Sequence, residues 1–134
     1  MHVCPADHRI SRDHMIPLRS DSRLADYASY SYLGTLLEAG VKVLLYNGGM
    51  LHCKTVVSDD VISSVGSANF DFRSFYYNFE VSAFVYDGAV AGNLKNLFIS
   101  DEKSSVTLTA RSYAARPFAR RCLESAARLF SPIL

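Results

Sequence analysis

A histidine and a lysine stand two residues apart in Leu51-His52-Cys53-Lys54, and a serine and an asparagine do so again in Gly66-Ser67-Ala68-Asn69. An imidazole near neutral pH can act as a nucleophile or carry a proton. A lysine ammonium and an asparagine amide donate hydrogen bonds to an anion, and a serine hydroxyl adds one more. Together they suit a phosphodiester held by Lys54, Ser67 and Asn69 while His52 attacks phosphorus. A covalent phosphohistidine divides one difficult displacement into two easier ones. Lys54 and Asn69 would stabilise the charge that develops on the non-bridging oxygens, and losing one such donor typically costs about 100- to 1000-fold in rate. Glu80, the sole charged residue of Asn78–Tyr86, would hold the second ring nitrogen of His52 and so fix its tautomer and orientation. Asp59, five residues after Lys54, divides between supporting a turn and taking part directly.

Other chemistries fit less well. The sequence shows no carboxylate cluster suited to magnesium and no glycine-rich loop ending in Lys-Ser/Thr. Zinc finds no second ligand pair near His52-Cys53, and adjacent residues of a strand point to opposite faces. Cys4, Cys53 and Cys122 are odd in number and scattered, so they read as reduced thiols, with Cys53 turned toward the core.

The elements that must position these residues follow from periodicity. Leu24 to Ala39 has helical spacing with Gly40 as its stop, and Val41–Tyr46 reads as a buried strand followed by an Asn47-Gly48-Gly49 turn. Strands are predicted over Met50–Val57 and Val61–Ser67, separated by Asp59-Asp60, with a further short one at Met15–Leu18. Such a strand would project His52 and Lys54 from one face. Asn78–Tyr86 alternates, with Phe79, Val81, Ala83 and Val85 on one side and Glu80, Ser82, Phe84 and Tyr86 on the other. Between them Phe70, Phe72, Phe75, Tyr76 and Tyr77 form an irregular aromatic stretch read mostly as packing. Gly88–Phe98 reads as a helix, Ser105–Thr109 as extended, and Pro117–Phe130 as a final helix with proline in its first turn. This order implies a mixed α/β sheet flanked by helices.

The 134 residues suffice for one domain with a real core, and 49% of them are hydrophobic. A net charge of +1 argues against a dedicated nucleic-acid binder, and no stretch approaches the ~20 apolar residues of a membrane span. The charge is unevenly placed. From Arg111 onward five arginines oppose Glu124 alone, a local charge of +4. The final helix, with Phe118, Cys122, Ala126, Leu129, Phe130 and Ile133 on one broad face, therefore reads either as an interfacial helix on anionic lipid or as an ordinary packed helix.

The pattern His52-x-Lys54-x4-Asp59-x6-Gly66-Ser67-x-Asn69 resembles the HKD signature of the phospholipase D superfamily at every motif position. Its surroundings, including Ser64 to Ser74, Asn78-Phe79-Glu80 and Arg128 to Leu134, are similar to the second HKD region of bacterial cardiolipin synthases. The resemblance runs from about residue 15 to the end and leaves residues 1–14 as an unplaced arm. It implies a phospholipase D-like half-domain over 15–134 in which His52 is phosphatidylated or acts as general acid. It further implies that Lys54 and Asn69 hold the phosphate, Glu80 orients the imidazole and Asp59 chiefly supports the fold. The implied reaction converts two phosphatidylglycerols into cardiolipin and glycerol at an anionic bacterial inner-membrane surface, with no metal or organic cofactor.

Family enzymes use two HKD motifs around one site, and this chain has one: His2, His8 and His14 are followed two residues on by Cys4, Ile10 and Ile16. The missing general acid would be worth ~100- to 10,000-fold. A second HKD half in a larger enzyme would supply it, the arrangement the motif details favour, as would a symmetric homodimer. A homodimeric single-HKD phosphodiesterase or nuclease is the alternative activity, and a non-enzymatic lipid-binding remnant is the third reading.

Overall fold

The computed structural model describes residues 12–19, 22–69 and 71–129. The sequence predicts one mixed sheet, whereas the described residues form two three-stranded ones. The first comprises β1 (Asp13–Pro17), β2 (Lys42–Tyr46) and β6 (Ser105–Leu108), in the order β1-β2-β6. Strand β2 runs parallel to β1 and antiparallel to β6. The parallel pair requires a crossover, supplied by α1 (Arg23–Glu38). Both ends of α1 are specified locally. The Ser22 side chain accepts from the Ala25 N–H at 3.3 Å. At the other end Gly40, at φ 76°, lets its own N–H reach Leu37 O and the Val41 N–H reach Leu36 O, both at 3.0 Å.

Central strand β2 is buried on both faces, which is why Val43-Leu44-Leu45 is continuously apolar. Val43 and Leu45 join Tyr30 and Leu33 of α1 in the main core, with Ile16, Leu36 and Tyr113 packed around them.

The second sheet is an antiparallel meander of β3 (Thr55–Ser58), β4 (Ile62–Gly66) and β5 (Ser82–Tyr86). Helix α3 (Gly88–Glu102) packs against strands of both sheets and ties them together. It is capped by Asp87, whose carboxylate accepts from the Val90 N–H at 2.9 Å. Two short helices escape the periodicity argument, α2 (Phe72–Tyr76) and α4 (Ala110–Ala114). Side chains rather than apolar spacing start them: Asp71 accepts from the Ser74 N–H at 2.7 Å, and Thr109 forms a capping box with Ser112. The last element, α5 (Phe118–Leu129), lies against α1.

Two strands are shorter than their sequence patterns suggest. Strand β3 begins at Thr55 rather than Met50, so His52 and Lys54 lie in the segment leading into it. Strand β5 begins at Ser82 rather than Asn78, because the preceding residues are taken up by the side-chain network described next.

Candidate active site

Gly66 ends β4, and its N–H donates to Lys54 O at 3.1 Å, so the segment carrying His52 and Lys54 adjoins the end of β4. A Cβ at Gly66 would come within 2.6 Å of Val81 O and still nearer the Ser82 hydroxyl, so glycine permits the close approach of β5. Immediately beyond, Ser67 bonds to Val81 through both backbone and side chain. Its N–H donates to Val81 O at 2.9 Å, and its hydroxyl accepts from the Val81 N–H at 3.0 Å. The same hydroxyl donates to Glu80 Oε2 at 2.5 Å.

Glu80 is the centre of this network. Asn78 Nδ2 donates to its Oε1 at 3.1 Å, and Ser74 and Lys54 lie near enough to favour its charged form. These partners, the Ser67 hydrogen bond foremost, hold the Glu80 carboxyl below the ordinary carboxylate range. Buried Ser74 accepts from the Asn69 N–H at 3.2 Å, which brings Asn69 beside the same carboxylate. Lys54 Nζ donates to the backbone carbonyl of its neighbour His52 at 2.7 Å.

Lys54, Ser67, Asn69 and Glu80 are therefore linked at one end of the β3-β4-β5 sheet, with His52 at its edge. Glu80 bonds Ser67 and Asn78 instead of the imidazole, and the exposed His52 ring has no hydrogen-bond partner among the described residues. Ser74 and Asn78 are members that the sequence reading missed. The available signal for Ser74 was its place three residues after Asp71, the spacing of a helix cap.

Asp59 stands apart. It and Asp60 occupy the β3–β4 hairpin at φ 55° and 57°, and Val61 N–H donates to Ser58 O across the turn. Positive φ at both central residues is the type I′ geometry, which aspartate tolerates. The whole of β3 separates Asp59 from Lys54, so Asp59 shapes the hairpin and is not brought into the cluster.

Two further expectations are corrected. Cys53 is exposed rather than turned to the core. Phe75, Tyr76 and Tyr77 are 60 to 70% exposed rather than packed, because α2 is a single short turn projecting beside the site. Phe79 and Val81 are also exposed.

The family described as "Cardiolipin synthase, PLD-like domain" matches residues 7–102, the stretch that carries the whole cluster. The chain belongs to this family. It is 48% identical over 120 residues to the major cardiolipin synthase ClsA of Bacillus subtilis and 43% identical to the cardiolipin synthase of Oceanobacillus iheyensis. Each alignment covers 90% of this chain, which spans about a quarter of either relative's length. Among solved structures, Nuc from Salmonella typhimurium, a phospholipase D family member, superposes with a TM-score of 0.62 at 17% identity over 73% of this chain and 64% of Nuc. That likeness establishes the phospholipase D-like fold. The cardiolipin synthase family match begins at residue 7, inside the arm that the sequence resemblance leaves unplaced.

Proposed function

We propose that this chain is the catalytic half of a cardiolipin synthase-type phosphatidyltransferase, the half that carries the second HKD motif. The observation that carries the reading is the linked group of Lys54, Ser67, Asn69 and Glu80 beside an exposed His52, inside a cardiolipin synthase domain. A ring nitrogen of His52 attacks the phosphorus of one phosphatidylglycerol, and the bond from phosphorus to the headgroup glycerol oxygen breaks. A second histidine protonates that oxygen and glycerol leaves. A hydroxyl of another phosphatidylglycerol then gives up its proton to that second histidine, now neutral, and displaces His52 from phosphorus, forming cardiolipin. Lys54 and Asn69 grip the non-bridging oxygens, Ser67 assists, and Glu80 holds the surrounding donors in place.

The second histidine comes from another HKD half or from a second copy of this chain. The uncovered face of the β3-β4-β5 sheet supports such a partner. Val56, Phe84 and Tyr86 share that face through the ladder register and are 54, 66 and 75% exposed. The catalytic unit starts no later than β1 at Asp13, earlier than the boundary at residue 15 that the sequence suggests, and works at an anionic bacterial membrane surface, although no described helix is long and apolar enough to cross one.

Thin-layer chromatography of phosphatidylglycerol incubations tests the reading, run with this chain alone and with an added first HKD half. Cardiolipin that appears with the complete pair and vanishes in His52→Ala supports it. Nicking of plasmid DNA without any lipid product would overturn it in favour of the nuclease.

A further inference from the structure

Helix α5 is turned the opposite way from an ordinary amphipathic helix. Its buried residues are Glu124 and Ala127, and the carboxylate of Glu124 is held by Arg116 at 2.9 Å and Arg120 at 3.1 Å. Arg120 and Arg128 stack over Tyr30 and Tyr32 of α1, at 4.9 and 4.6 Å from the ring centroids. The helix is thus fastened to the domain by its polar side. Phe118, Cys122, Ala126 and Leu129, spaced at i, i+4, i+8 and i+11, form one stripe on the far side, where Phe118 is 78% and Leu129 80% exposed. Burying that stripe against the domain would have been the ordinary outcome for apolar residues at this spacing.

What lies beside the stripe identifies its partner. Exposed Arg121 and Arg128 flank it, and next to them a cleft of about 300 Å³ opens against α1. Its walls include Ser31, Thr35 and Ser125, with Glu38 the acid there not already ion-paired among the described residues. Residues 111–134 carry five arginines against one glutamate, a charge of +4, while the remainder of the chain totals −3. An apolar stripe bordered by guanidinium groups and hydroxyls is complementary to the boundary between acyl chains and anionic headgroups.

We propose that α5 is a membrane-docking element, lying in the plane of an anionic phospholipid surface with Phe118 and Leu129 among the acyl chains and Arg121 on headgroup phosphates. This deepens the phosphatidyltransferase reading and rests on it for the choice of lipid. Docking is separable from catalysis because α5 contains none of the residues of the His52 cluster.

Flotation of this chain with phosphatidylglycerol vesicles, against phosphatidylcholine vesicles, tests the docking, with circular dichroism reporting that each variant is folded. Binding to the anionic vesicles and its weakening by salt are expected. Phe118→Ser with Leu129→Ser, and separately Arg121→Glu, are each expected to lower the bound fraction about tenfold. Leu97→Ser, at an apolar position on α3 that is 62% exposed, leaves flotation at the parent level. Equal binding to both vesicle types, or equal binding by the folded α5 variants and the parent, would overturn the proposal. Flotation without cardiolipin formation by the complete pair would instead count against the phosphatidyltransfer reading alone.

Discussion

The two sheets of this small domain have the same number of strands and opposite fates. In β1-β2-β6 the central strand is covered on both faces, and Val43 is 0% exposed. In β3-β4-β5 one face leans on α3 through Val57, Ser63 and Val85, while the other presents Val56, Phe84 and Tyr86 to the outside. The covered sheet carries the core, and the half-covered sheet carries the proposed site. A surface of this kind, beside the proposed nucleophile His52, suits the proposed completion of the site by another body.

The sharpest way to break this division is at the site. With a complementary HKD half present, His52→Ala is expected to reduce phosphatidyl transfer by about 10⁴-fold or more, since the nucleophile itself is gone. Its unfolding free energy should stay within about 0.5 kcal/mol of the parent, because His52 is exposed. A large stability loss in denaturant titration would erase the distinction between the sheets. Lys54→Ala removes one phosphate donor and is expected to cost about 100- to 1000-fold in kcat/KM under the same conditions.

Stability measurements approach the comparison from the other side. Leu44→Ala in β2 leaves a cavity and should cost about 2–5 kcal/mol in urea unfolding, whereas Phe84→Ala in β5 should cost under about 0.5 kcal/mol. Phe84→Ala is nonetheless expected to weaken association with the partner half, seen by sedimentation. Comparable losses of stability at the two positions would mean that the outer face of β5 is covered within the chain itself.

Smaller effects come from titration, where the two sheets again differ in cause. Burial lowers the pKa of His14 in β1, so the folded state favours the neutral ring. Stability should therefore fall as pH drops from the ordinary histidine range through the lowered value, and His14→Gln should flatten that slope in pH-dependent unfolding. Hydrogen bonds, not burial, lower Glu80. Their contribution is present above the ordinary carboxylate pKa and lost as pH falls through the depressed one. Ser67→Ala should move the Glu80 midpoint upward in carbon-detected NMR, and an unmoved midpoint would remove Ser67 as the principal cause.

Much of this was legible in the chain. Helix α1 with its Gly40 stop, the buried run Val43-Leu44-Leu45 and the alternation in β5 all follow from local spacing and capping. The types and intervals of Lys54, Ser67, Asn69 and Glu80 likewise pointed to a group that the structure gathers in one place. Less visible were α2 and α4, which side-chain hydrogen bonds start without an apolar period, and the roles of Ser74 and Asn78. The exposure of Cys53 and of Phe75 to Tyr77 was not legible, since alternation identifies two faces but not which one the rest of the molecule covers.

Residue types and intervals alone singled out the candidate groups and the strands they adjoin, because both are short-range properties of the backbone. Tertiary structure decided that Glu80 bonds Ser67 and Asn78, that Asp59 turns a hairpin, and that α5 fastens its charged side inward. Each of those outcomes depends on groups far apart in the chain competing for the same partner, and such a competition is settled only when the elements have packed.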